Sequence, residues 1–256
     1  LFYQKGNSLE VGKMKDIMEI EVLKLKHSKI LWIVTLAPLF MVIQGTTNLL
    51  RYYDLFTGQG QNVWEQLYTQ SMILYVSVLL PVLISVVMTF LARLENANQS
   101  WKQYLSLPVE RGKIYGAKFI LGCGLILLNI LVLILGLVGA GKIIGVSGAI
   151  PLKVLLQPVA AFVAAMPIMA LLYVLSLKFA HIVMPLGVGI GLSLPAMVVA
   201  NTKYWLIYPW TYPIMAALGS DFDVFSKGSL VYLISLILLV LIFALGYLEF
   251  IRRDIV

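Results

Sequence analysis

Six stretches of this sequence, about 30–50, 71–91, 119–140, 154–177, 182–200 and 229–247, consist almost wholly of apolar side chains. A helix needs about 20 such residues to cross the hydrocarbon core of a bilayer. Within lipid every backbone polar group must be satisfied internally, so segments of this kind span as helices. The expected fold is an all-α integral membrane protein with six transmembrane helices. Composition agrees: 61% of residues are hydrophobic and 12% charged, against about 25% charged in soluble domains. Residues 1–13, LFYQKGNSLEVGK, do not begin with Met and read as a tag or disordered extension before a native start at Met14. Residues 14–256 then form one transmembrane domain. The single cysteine, Cys123, lies inside an apolar run, which excludes an internal disulfide.

An even number of spans puts both termini on one side. Thirteen Lys and Arg residues fall on that side, together with the loop 93–118, and five on the other. The excess assigns both termini and that loop to the cytoplasm. The net charge of +7 is thereby explained by topology and anionic headgroups, with no need for nucleic acid. No charged residue falls in the middle of a span, so a proton or ion relay lacks its usual groups.

The flanking segments carry patterns of their own. From Met14 to Lys29 a helical wheel places Met14, Ile17, Met18, Val22 and Leu25 on one face, interrupted by Glu21. That suits an amphipathic helix in the cytoplasmic interface. The first span holds Pro38, and its second half is polar: Gln44, Thr46, Thr47 and Asn48. This half is either a substrate-facing surface or the outer end leaving the bilayer. A helix lying on the membrane is expected from Val63, ahead of the second span. Gly187 and Gly191 in the fifth expected span form a GxxxG pair, a pattern that permits close helix approach. Between 201 and 228 the run YWLIYPWTYP brings Tyr204, Trp205, Tyr208, Trp210 and Tyr212 together with two prolines. A continuous helix is not expected there. A re-entrant or interfacial element is, offering either an aromatic surface to amphipathic cargo or an ordinary aromatic belt.

Two motifs invite chemistry and fail. Gly136–Lys142, GLVGAGK, matches most of a phosphate-binding loop, but Ile143 replaces the hydroxyl that binds magnesium. Asp221 and Asp223 read as a solvated acidic turn. With His27 and His181 the only histidines and no GxSxG, the sequence offers no catalytic site and no metal centre.

The long polar segment is 93–118, RLENANQSWKQYLSLPVERGKIYGAK. Trp101, Tyr104 and Leu105 recur at helical spacing and Pro108 ends the pattern. In this segment Glu95, the helix Trp101–Leu107, Pro108, Arg111, Lys113, Ile114 and Lys118 resemble the ABC-2 type transporter permeases. Within that family the segment resembles the permeases of lantibiotic immunity and peptide export. The ending Phe250, Arg252, Arg253, Asp254 and Ile255 resembles theirs too.

The resemblance implies one half of a transmembrane dimer in the bacterial cytoplasmic membrane, with an identical or related second permease. It implies two separate cytoplasmic ATPase subunits that hold ATP and magnesium, none being bound by this chain. Glu95, Trp101, Lys102, Tyr104, Leu105, Pro108, Arg111 and Lys113 would form the coupling contact, with the N-terminal helix beside it. A compact Trp–Tyr–Leu face suits a hydrophobic groove on such a partner. Gln44, Asn48 and the aromatic run would meet an amphipathic peptide or lipid-like substrate. The alternative is a non-transporting membrane sensor, scaffold or assembly module that captures a ligand on its outer aromatic surface.

Overall fold

A computed structural model describes residues 14–26, 28–96, 111–179, 181–219 and 227–252. Residues 1–13, His27, Trp101, Lys102, Tyr104, Leu105, Pro108, Asp221, Asp223, Arg253, Asp254 and Ile255 lie outside them, as does the side chain of Glu95. The described residues form helices α1 (Met14–Leu25), α2 (Ile30–Arg51), α3 (Tyr53–Thr57), α4 (Val63–Leu74) and α5 (Leu80–Asn96). They continue with α6 (Arg111–Ile143), α7 (Leu152–Lys178), α8 (Val183–Ser193), α9 (Ala196–Ala200), α10 (Tyr212–Leu218) and α11 (Leu230–Arg252).

Among the described residues five helices are long and apolar enough to cross a membrane: α2, the stretch Val63–Arg93, α6, α7 and α11. The protein is therefore an all-α, multi-span membrane protein. Val63–Arg93 and α7 are the inner pair, each with 61% of its apolar window buried, whereas α2 and α11 reach only 28% and 17%. The weakly buried helices are peripheral.

The stretch from Val63 differs from expectation. It does not lie apart on the membrane: α4 runs through a π-helical turn, Tyr75–Leu79, into α5. Trp64, Leu67 and Tyr68 are buried, because α4 packs on α2 and Tyr68 donates to the Ala217 carbonyl at 2.8 Å. Helix α6 has 33 residues, about 50 Å at 1.5 Å per residue. That exceeds a core of about 30 Å, so its ends project. Its last turns contain the GLVGAGK run, whose amides are spent in the helix and unavailable to phosphate. An added Cβ at Gly141 would strike the Trp64 ring. The connection 144–151 turns on Gly145 and Gly148, with φ of +76° and +97°, a region that glycine enters freely.

The fifth expected span is broken. Helix α8 has 11 residues, about 16 Å of rise, roughly half the core thickness. Pro195 supplies no amide, and the chain restarts with Val198 and Val199 donating to the Pro195 carbonyl. Gly187 and Gly191 face open space, while Gly189 is pressed against Ser85 and Leu172. The close approach is therefore made by the glycine between the GxxxG pair. The aromatic run then forms 3-10 turns at Lys203–Ile207 and Pro209–Thr211 before α10, whose seven residues are all buried.

Hydroxyls within the spans bond back to the preceding turn, as Ser71 does to Leu67, Ser77 to Ile73 and Ser85 to Pro81. Such bonds keep a polar group satisfied in apolar surroundings. Thr46 and Thr47 do the same to Val42 and Ile43, which accounts for two of the four polar residues in the first span.

Candidate functional site at the base of helix α6

Helix α6 begins at Arg111, and its first three turns are well gripped. Ile114, Tyr115, Ala117, Lys118, Leu121 and Gly122 are all buried. Arg111 and Lys113 open the helix, each half-buried.

One side of this base meets α1. Lys118 Nζ lies 2.7 Å from Glu21 Oε2, and Lys24 Nζ 2.8 Å from Glu21 Oε1. Lys118 and Glu21 are 1% and 0% exposed. Ile17 and Leu25, one turn either side of Glu21, are buried with it, and a Cβ at Gly116 would touch Met14. Taking two charges from water is costly, and removing one partner of a buried pair typically costs about 3–5 kcal/mol.

The opposite side is aromatic. The Tyr115 ring lies 5.0 Å from both Tyr173 on α7 and Phe243 on α11. Tyr247 and Phe250 complete the cluster at 5.8 and 5.4 Å. Tyr173 donates to the Tyr115 carbonyl at 2.9 Å, and Tyr115 to the Phe243 carbonyl at 3.3 Å. Gly246 lets α11 approach here, since a Cβ would meet Val174 and the Tyr115 hydroxyl. Below the cluster Lys178 pairs with Glu249 at 3.0 Å. On a third side, Gly122 is covered by Met88 and Leu91 of α5. The base thus joins α1, α5, α7 and α11. Among the described residues it is held by packing and by the buried Glu21–Lys118 charge pair.

The N-terminal helix differs in detail from its expected face. Val22 and Met14 are 51% and 40% exposed, and Glu21 occupies the centre of the packed face. Met18 is partly buried against the core. Ile20, Val22 and Leu23 form an exposed apolar surface instead.

The second set of expected residues lies at the other end. Trp205, Trp210 and Tyr212 are buried. Trp210 Nε1 donates to Gly189 and Tyr212 to Leu206, at 3.2 and 2.6 Å. These rings are core, not an outward surface, because the prolines fold the segment back against α7 and the π turn. Tyr208 is half-buried and donates to Leu192 at 2.7 Å, while Tyr204 is 59% exposed. On α2, Asn48 donates to Gln70 at 2.7 Å, and Gln44 Oε1 is buried without a donor. The structure therefore brings Asn48 to the α2–α4 contact.

Sequence reasoning named Lys118 in the loop motif and saw Glu21 as an interruption, without joining them. The signal was present: a carboxylate at the centre of an apolar face requires a partner, and Lys118 immediately precedes an apolar run. Among the described residues no group of three or more His, Cys, Asp and Glu side chains could hold a metal ion.

The family model described as ABC-2 family transporter protein matches residues 17–196, from α1 to the start of α9. No curated protein and no solved structure matches the chain.

Proposed function

Because the chain belongs to the ABC-2 family of transporter proteins, we propose that it is the membrane-spanning permease subunit of an ATP-driven exporter. Permeases of this family are typically non-catalytic and work with separate ATPase subunits. Here two such subunits hold ATP and magnesium and bind the central loop from the cytoplasm. Trp101, Tyr104 and Leu105 fill a groove on the ATPase, with Glu95, Lys102, Pro108, Arg111 and Lys113 around them. The exposed face of α1 lies in the interface beside that contact. A second permease, identical or related, completes the pathway in a bacterial cytoplasmic membrane, and the cargo is an amphipathic peptide or lipid-like molecule.

The observation that carries the reading is the base of α6. The basic loop feeds directly into a segment that grips four other helices, so a displacement applied to the loop reaches the inner and outer spans together. Burial of Trp205, Trp210 and Tyr212 speaks against a sensor that captures ligand on those rings. The remaining exposed outer surface, at Tyr204, Leu206 and Ile207, suits contact with lipid or with a bilayer-borne cargo.

The test is purification with a nucleotide-binding subunit encoded beside this chain. Trp101→Glu combined with Leu105→Glu abolishes co-purification and transport-linked ATP hydrolysis while the melting profile stays unchanged. Retained binding in that variant overturns the coupling contact.

A further inference from the structure

We infer that the Glu21–Lys118 ion pair fixes the register of α1 on α6, so that the two helices move as one lever. Its consequence for transport rests on the permease reading, whereas the register itself is a property of this chain alone. Among the contacts around the pair, those from Met14, Ile17 and Leu25 are apolar and non-directional. By themselves they would let α1 slide or roll along α6. The charge pair admits one position. One turn of α6 in either direction would bring Ile114 or Gly122 under Glu21 in place of Lys118. Lys24 restrains the carboxylate from its own helix at 2.8 Å, so both oxygens are held.

A buried ion pair adds little net stability over a well-packed apolar pair, and its best-attested use is to specify register. Three residues from Lys118, Tyr115 enters the aromatic cluster of α7 and α11. A push on α1 is thus delivered to α6 and onward to two further spans. Without the pair, the same push is lost in slippage between α1 and α6.

The experiment uses the full chain in nanodiscs, with Cys123→Ala and spin labels at Lys15→Cys and Ile120→Cys, both exposed positions. Three pairs are compared: the native pair, Glu21→Met with Lys118→Met, and Glu21→Lys with Lys118→Glu. A single narrow label distance is expected for the native and swapped pairs, and a broadened or second distance for the Met pair at unchanged melting temperature. In the complex with its ATPase, the Met pair keeps partner binding but loses about tenfold in transport per ATP hydrolysed, a mid-range coupling effect. The swapped pair recovers it. Distances in the Met pair as narrow as native, or a folded swap that stays broad, overturn the inference. If the Met pair fails to fold, Glu21→Gln with Lys118→Gln takes its place under the same criteria. If the native chain binds no ATPase, the permease reading falls and the distance measurement alone decides the register.

Discussion

Pro38 leaves the Val34 carbonyl without its helical donor, and Asn129 supplies one from the neighbouring helix. The Asn129 amide nitrogen donates to Val34 at 2.6 Å, while its oxygen accepts from the Tyr75 hydroxyl at 2.6 Å. A proline kink inside a membrane is tolerated when a neighbour resatisfies the freed carbonyl, and here the neighbour also ties α2 and α6 to the π turn. Asn129→Leu orphans both groups. An unsatisfied buried polar group costs about 1–3 kcal/mol, but interhelical bonds in bilayers average nearer 0.6 kcal/mol. The expected loss is therefore about 2 kcal/mol, read by equilibrium unfolding in mixed micelles. Adding Pro38→Ala returns an amide donor to Val34 and should recover roughly half. A double variant no better than Asn129→Leu would remove the carbonyl from this account.

At the scale of elements, the glycines of the GLVGAGK run separate packing from nucleotide chemistry. Gly141 lies under the Trp64 ring, which is 2% exposed and has nowhere to move, whereas nothing lies within 4 Å of a Cβ at Gly139. Gly141→Ala should destabilise by about 1–3 kcal/mol through overpacking. Gly139→Ala should gain up to about 1 kcal/mol in helix propensity. Both are read by thermal melting, and equal effects would show that the α4–α6 contact is not as described. The aromatic run gives a parallel contrast. Trp210→Ala should cost about 3–5 kcal/mol as a core truncation, and Tyr204→Ala less than about 0.5 kcal/mol as an exposed one. A Trp210→Ala protein that is stable but transport-dead would instead mark a cargo contact. These contrasts show what hydropathy can and cannot reveal. Helices α2, α6, α7 and α11 are legible because spanning depends on local apolar length. The continuity of Val63–Arg93 and the burial of Trp205, Trp210 and Tyr212 are not, since an amphipathic aromatic suits a headgroup belt or a protein core equally. Only the tertiary partners, Ala217, Gly189 and Leu206, decide. Glu21 and Lys118 were hidden for the same reason: separated by almost a hundred positions, each reads alone as an end-segment charge.

On the scale of the whole molecule, the outer helices present apolar side chains where a soluble protein would present polar ones. In α11, Leu233, Leu236, Ile237, Val240, Leu241 and Leu245 are each more than half exposed, and Trp32, Leu36, Phe40 and Ile43 do the same on α2. Contiguous apolar surface of this extent is stable only if lipid or another membrane chain covers it. Val240 is 59% exposed and sits near the middle of α11, so Val240→Lys separates the two environments by the size of its effect. On a water-facing helix the change would alter stability by no more than about 0.5 kcal/mol. At the centre of a membrane helix it costs about 2.5–3.5 kcal/mol of insertion free energy. The expected result is a fall in the membrane-inserted fraction of α11, measured by glycosylation mapping of the C-terminal segment. Val240→Phe, which adds apolar volume on the same face, should insert like the native chain. If Val240→Lys inserts and folds as well as Val240→Phe, α11 does not cross the hydrocarbon core.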